Sequence, residues 1–205
     1  MKVLILNGSP HADGTTYAAL HEMETVFAEA GIETELIHIG KEAVRGCIDC
    51  RTCHKTGKCV FDDIVNTVAD KFAEADGLVV GSPVYYASAN ATLDALLTRL
   101  FFSTPFDKTM KVGCSVAAAR RGGLTATFDQ LNKYFAISGM PIASGCYWNG
   151  IHGMNGTEAQ EDGEGLYMMR TLARNMAFLM KSIALGREAY GLPEKEDRVI
   201  TNFIR

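Results

Sequence analysis

Two stretches of this 205-residue chain hold side chains whose type and spacing could do chemistry. The first is Asn7-Gly8-Ser9-Pro10-His11-Ala12-Asp13-Gly14-Thr15-Thr16, directly after the apolar run 2–6. Its hydroxyls, at Ser9, Thr15 and Thr16, gather where a strand should give way to a helix. A helix N-terminus presents free backbone N–H groups and a positive dipole end to an anion. No G-x-x-x-x-G-K-[ST] is present, so no lysine is placed for a triphosphate, and the G-x-G-x-x-G of a dinucleotide fold is also missing. A hydroxyl-rich loop without lysine suits a single terminal phosphate that stays bound. An ordinary turn with a threonine cap is the alternative.

The second stretch, 46–59, spaces its sulfurs C-x2-C-x2-C-x5-C at Cys47, Cys50, Cys53 and Cys59. Thiols at every third position of a tight loop can converge on one corner of a cluster, with another returning after a turn at Gly57. The run resembles the ferredoxin-type spacing for [4Fe–4S], although its last interval is longer and no proline follows Cys59. Two other readings stay open. A four-thiolate zinc site usually has two C-x2-4-C pairs farther apart; a metal-free redox loop would place Cys59 ahead of a helix starting at Asp62. Cys114 and Cys146 fall in or at the end of predicted strands and are expected to be buried small apolar residues.

The elements that must position these groups follow from periodicity. Apolar or alternating runs predict strands over 2–6, 33–39, 77–81, 111–117 and 141–147. Between them, helical spacing predicts helices from Thr15, from Asp62-Asp63, over about 89–102 and over 125–137, with a last one over 164–188 after a polar, glycine-rich loop at 148–163. Five such alternations predict an α/β, flavodoxin-like doubly wound parallel sheet of order 2-1-3-4-5, helices on both faces, in one domain over 1–205. The stripe Tyr167, Met168, Leu172, Met176, Leu179, Met180 and Ile183 reads as core or dimer face.

Ligands of such sheets sit outside the carboxyl ends of the strands, where strand order reverses. Three unusual loops meet there: the hydroxyl loop, Ser82-Pro83-Val84-Tyr85-Tyr86, and Ala118-Ala119-Arg120-Arg121-Gly122-Gly123. Tyr85 and Tyr86 could pack as plain apolar residues, or offer flat faces to an extended ring. Arg120 and Arg121 could be solvated charges, or face a ring edge that gains negative charge on reduction. A ligand with a phosphate at one end and a flat redox ring at the other is FMN. Trp148, Asn149 and His152 follow on the same edge and could cover it or pack structurally.

Composition narrows the classes further. A formal charge of −4 leaves no electrostatic footprint for nucleic acid or an anionic membrane. No apolar run approaches the roughly 20 residues that span a bilayer, and the chain enters a strand without a signal peptide, so a cytoplasmic protein is expected. Six cysteines in a reducing compartment are ligands, redox groups or buried thiols sooner than disulfides.

Asn-Gly-Ser-Pro-His at 7–11, Gly-Ser-Pro-Val-Tyr-Tyr at 81–86, Ala-Arg-Arg-Gly-Gly at 119–123 and Tyr-Trp-Asn at 147–149 together resemble the NADPH-dependent FMN reductase superfamily. Within it the chain is most similar to the iron–sulfur flavoprotein branch, whose compact cysteine motif it carries in full. The resemblance implies non-covalent FMN, with Ser9, His11, Thr15 and Thr16 holding the phosphate. It implies Pro83, Val84, Tyr85 and Tyr86 against the ring and ribityl chain, and Ala119, Arg120, Arg121 and Gly122 lining the ring. His11 stands where many relatives have arginine. A homodimer or homotetramer is implied as well.

The expected activity is transfer of electrons from NAD(P)H, or from a ferredoxin, through FMN to a quinone, azo, nitro or protein acceptor. The flavin would carry that chemistry, so no catalytic nucleophile is expected. An electron carrier or redox sensor without small-molecule turnover is the alternative, and a colourless zinc-stabilised module a third.

Overall fold

Alternation along β1 (Lys2–Asn7) divides the core in two. Val3 and Ile5 belong to one buried cluster and Leu4 and Leu6 to the other, all fully buried. In the computed structural model, which describes residues 1–197, 199–201 and 203, the remaining elements follow as α1 (Thr15–Glu29), β2 (Glu33–His38), α2 (Cys53–Thr56), α3 (Ile64–Glu74), β3 (Gly77–Tyr85), β4 (Ser88–Ala89), α4 (Ala91–Ser103), β5 (Val112–Ala119), α5 (Leu124–Ala136), β6 (Gly150–His152), α6 (Gly156–Ala159) and α7 (Gly163–Tyr190).

The parallel strands run in the order β2-β1-β3-β5-β6. That is the expected 2-1-3-4-5 arrangement once the short β4, antiparallel to the end of β3, is set aside. Met23, Val26 and Phe27 of α1 and Leu172, Met176 and Met180 of α7 cover one face of the sheet. Val68 and Phe72 of α3, Leu93, Leu96 and Leu100 of α4, and Leu131 and Phe135 of α5 cover the other. Each such side chain, fully buried, contributes about 1.5–3 kcal/mol. Both faces being covered explains why β1, β3 and β5 read as nearly unbroken apolar runs.

Several local expectations are corrected. The strand expected at 141–147 is split. Gly113 N–H donates to the Pro141 carbonyl and Ala143 N–H to the Gly113 carbonyl (both 2.9 Å), after which the chain leaves the sheet. It rejoins when Ala117 N–H donates to the Asn149 carbonyl at 3.0 Å, just ahead of β6. Cys146 lies in the excursion and is exposed, unlike the fully buried Cys114. The segment 148–163 is likewise no simple loop, since it contains β6 and α6.

The third and fourth strands are also longer than periodicity suggested. β3 continues through Pro83 and Val84 to Tyr85 and folds back as a hairpin, with Val84 opposite Ala89. Tyr86 turns that hairpin in a left-handed conformation, φ 57°. β5 likewise continues through Ala118 and Ala119 before its loop begins.

Candidate functional site

The carboxyl ends of β1, β3 and β5 lead into one cavity of about 770 Å³. Its floor is the hydroxyl loop, held from below by backbone bonds. Gly8 N–H donates to the Gly81 carbonyl at 2.8 Å, and the Gly8 carbonyl accepts from the Asn90 amide at 2.5 Å. Asn7 Oδ1 accepts from Ser9 N–H at 3.0 Å, while His38 Nε2 meets the Ser9 carbonyl at 2.5 Å. Gly40 is required beneath this turn, because a Cβ there would overlap the Ser9 carbonyl. The loop is therefore fixed before any ligand arrives. Ser9 Oγ accepts from His11 N–H at 3.1 Å, which leaves its own proton to donate.

No side chain caps α1: Gly14 is the extended N-cap residue and makes no side-chain bond. The expected threonine cap is replaced by a long-range contact. Thr15 Oγ1 lies 3.1 Å from both the Gly153 and the Asn155 carbonyls, and donates to that segment rather than to its own helix. The N–H groups of the first turn thus keep their capacity for an anion.

Pro83, Val84 and Tyr85 form one wall of the cavity, and Ala118, Ala119 and Arg120 another. Burial raises the Tyr85 phenol above its ordinary pKa. Gly153 N–H donates to the Ala119 carbonyl at 3.2 Å, which ties the segment after β6 to the end of β5. Asn155 caps α6 by accepting from Glu158 N–H at 3.0 Å. Gly156 then passes so close to the Asp13 carbonyl that no Cβ would fit between them.

Of the residues expected to bind, Ser9, His11, Thr15, Thr16, Pro83, Val84, Tyr85, Ala119 and Arg120 border the cavity. Tyr86, Arg121 and Gly122 do not; all three are exposed, and Tyr86 projects from the hairpin tip. Sequence reasoning missed Tyr17 and His21, stacked at 5.4 Å on α1, and the cover formed by Gly153, Asn155, Thr157 and Gln160. The glycine-rich composition of 148–163 was the available signal for that cover.

A separate, smaller pocket is bordered by Cys47, Cys50, Cys53 and Cys59 together with Phe61, Arg99 and Phe102. Asp49 and Arg51 hold left-handed conformations, φ 51° and 58°, on either side of Cys50. Such residues are uncommon outside glycine and each costs about 1–2 kcal/mol. Their ion pair, Arg51 Nε to an Asp49 carboxylate oxygen at 2.5 Å, braces that turn. Cys53 begins α2, which ends on the left-handed Gly57. A hydrogen bond from Thr52 lowers the Cys50 thiol, whereas burial first, and the neighbouring sulfurs after it, raise Cys53. Among the described residues, no three His, Cys, Asp or Glu side chains converge on a point for one metal ion. The four thiols border one shared space, and four thiolates are the donor set of a [4Fe–4S] cluster as well as of a four-cysteine zinc site.

A parallel sheet in this order, with an uncapped helix N-terminus facing a cavity at its carboxyl edge, defines a flavodoxin-like protein. The model of the NADPH-dependent FMN reductase family matches residues 1–153. An iron–sulfur flavoprotein of Methanocaldococcus jannaschii is 34% identical over 194 residues, covering 89% of this chain and 99% of its own length. The chain belongs to the NADPH-dependent FMN reductase family, in its iron–sulfur flavoprotein branch. Two solved structures share the fold. A structure of RosB with a bound formylriboflavin phosphate intermediate superposes with a TM-score of 0.71 at 15% identity, over 100% of this chain and 92% of that one. A flavodoxin from the domain Archaea gives 0.61 at 14% identity, over 88% and 99%.

Proposed function

We propose that this chain is an FMN-dependent oxidoreductase that takes electrons from NAD(P)H or a ferredoxin and passes them to a quinone, azo, nitro or protein acceptor. The observation that carries the reading is the cavity itself. An uncapped α1 N-terminus and the Ser9 hydroxyl lie at one end, with the Pro83–Tyr85 and Ala119–Arg120 walls beside them. Its volume, about 770 Å³, accommodates a flavin mononucleotide. FMN, when bound, supplies the hydride and single-electron chemistry.

The chain's own residues bind and orient. First-turn N–H groups of α1 and the Ser9 hydroxyl hold the phosphate, while Thr15 keeps the 153–157 cover closed over it. Tyr85 and the Ala119 backbone flank the ring, and the Arg120 guanidinium favours negative charge at its edge. Cys47, Cys50, Cys53 and Cys59 would hold a [4Fe–4S] cluster, giving a one-electron centre beside the two-electron one. The protein works in the cytoplasm as a homodimer or homotetramer.

The test is an absorption spectrum of anaerobically purified protein, with iron and acid-labile sulfide assayed on the same sample. Flavin with about four irons per chain supports the full reading. Flavin without iron leaves an FMN reductase, and no flavin after incubation with FMN overturns the proposal. The exposed Cys47 and Cys50 favour a second reading, an electron carrier without small-molecule turnover. Rapid flavin reduction by NAD(P)H selects the enzyme; reduction only by ferredoxin or dithionite selects the carrier.

A further inference from the structure

Arg99 is the largest fully buried side chain of the described residues, 1% exposed, and its charged group sits against the cysteine pocket. A guanidinium has five N–H donors in a planar fork, and every one is placed. Nε and Nη2 each donate to Cys59 Sγ at 3.2 Å. Nη2 also donates to Asp63 Oδ1 at 2.9 Å, and Nη1 to Asp63 Oδ2 at 2.6 Å. The last N–H of Nη1 reaches the Arg45 carbonyl at 3.2 Å, and the Phe61 ring lies 5.0 Å from the guanidinium.

The anchor is fixed in turn. Asp63 is the N-cap of α3, accepting from Val65 N–H at 3.2 Å, so helix and guanidinium share one carboxylate. Asn66, one turn further on, clamps the backbone of Cys59: its Oδ1 accepts from Cys59 N–H at 3.0 Å and its Nδ2 donates to the Cys59 carbonyl at 3.1 Å. Cys47 and Cys50, by contrast, are exposed. Cys59 is therefore held by the body of the fold, Cys53 begins the short α2, and Cys47 and Cys50 lie on the exposed loop.

We infer that Arg99 is a positioning residue for the cysteine pocket: it fixes Cys59 Sγ as the anchored ligand and, through two N–H donors on that sulfur, raises the reduction potential of the centre held there. The inference rests on the iron–sulfur reading of the four thiols. Reduction adds negative charge to the centre, and hydrogen bonds to a ligating sulfur stabilise the more negative state. Without the Arg99 donors the centre becomes harder to reduce. Lysine at 99 keeps a charge for Asp63 but cannot offer the same paired donors.

The experiment uses the full chain, loaded with FMN and reconstituted anaerobically with iron and sulfide, as wild type, Arg99→Lys, Arg99→Gln and, as an exposed charge control outside the cysteine loop, Lys133→Gln. Dithionite titration followed by electron paramagnetic resonance reads the midpoint; flavin content and the circular-dichroism melt read the fold. The inference expects Arg99→Lys to keep flavin and melt near wild type while its reduced-to-oxidised ratio at a set potential falls roughly tenfold, about 59 mV for one electron. Arg99→Gln should shift further or lose iron with its flavin retained, and Lys133→Gln should not shift. If Arg99→Gln fails to fold, Arg99→Lys decides. An iron-loaded Arg99→Lys with the wild-type midpoint overturns the role of Arg99 alone. A wild type that binds FMN but takes up no iron overturns the cluster reading, and this inference with it.

Discussion

Thr15 and Asn155, 140 residues apart in sequence, are joined by the Thr15 hydroxyl at 3.1 Å from the Asn155 carbonyl. The floor of the cavity is thereby tied to its cover by a side chain that could have capped its own helix. Thr15→Val keeps the shape of the side chain and removes the donor. One net hydrogen bond is worth about 0.5–1.5 kcal/mol, so FMN should bind roughly 2- to 13-fold more weakly. Flavin fluorescence quenching measures this, and Thr15→Ser should restore the wild-type value.

Gly156 tests the same closure sterically. A methyl group at 156 meets the Asp13 carbonyl, and neither backbone can move aside without opening the cavity. Gly156→Ala should weaken FMN by more than about tenfold with a stability loss of about 1–3 kcal/mol. Gly163→Ala, where a Cβ meets nothing within 4 Å, is the control and should leave both unchanged.

The two adjacent arginines should separate cleanly. Arg120 borders the cavity, whereas Arg121 does not. Arg120→Ala should reduce FMN affinity about tenfold, the scale of one charge-assisted hydrogen bond. Arg121→Ala, an exposed change, should stay within about twofold. Equal effects of the two in a binding titration would contradict the assignment of the ring wall.

Acid stability should depend on Glu35. Hydrogen bonds from Lys2, 2.8 Å away, and then from Lys71 hold its carboxyl below the ordinary 4.5. A depressed carboxylate stabilises the fold above its unfolded pKa, and that contribution is lost as pH falls through the folded value. The gap in melting temperature between wild type and Glu35→Gln should thus be constant near neutrality and close below about pH 4.5. Lys2, raised by its hydrogen bond to Glu35, has the opposite sense: its contribution holds below 10.5 and fades as pH climbs through the raised value.

Strand order was legible because each parallel strand buried on both faces announces itself as an apolar run, as 77–80 does. The last strand was not, because it is divided. Pro141 and Ala143 pair with Gly113, the chain then swings out through Cys146, and Asn149 brings it back. Asn149 holds that return by donating to the Ser115 carbonyl at 3.1 Å, a long-range contact that periodicity does not encode. The loops bordering the cavity were visible as clusters of glycine, hydroxyl and proline, but that Tyr85 borders it and Tyr86 does not was invisible, because a tight hairpin sends neighbours in different directions. Arg99 was hidden by its type. It occupies a core spacing in α4, three residues after Leu96, where a charged residue reads as surface until its partner Asp63 is known.

The cover over the cavity also sets an order of events during synthesis. Its residues follow the floor by the 138 and 140 positions that separate Thr15 from its two carbonyl partners. At roughly 5–20 residues per second, a ribosome exposes the floor on the order of 7–28 s before the segment that closes it. The nascent chain accordingly passes through a stage in which the residues of the floor are out of the ribosome and those of the cover are not.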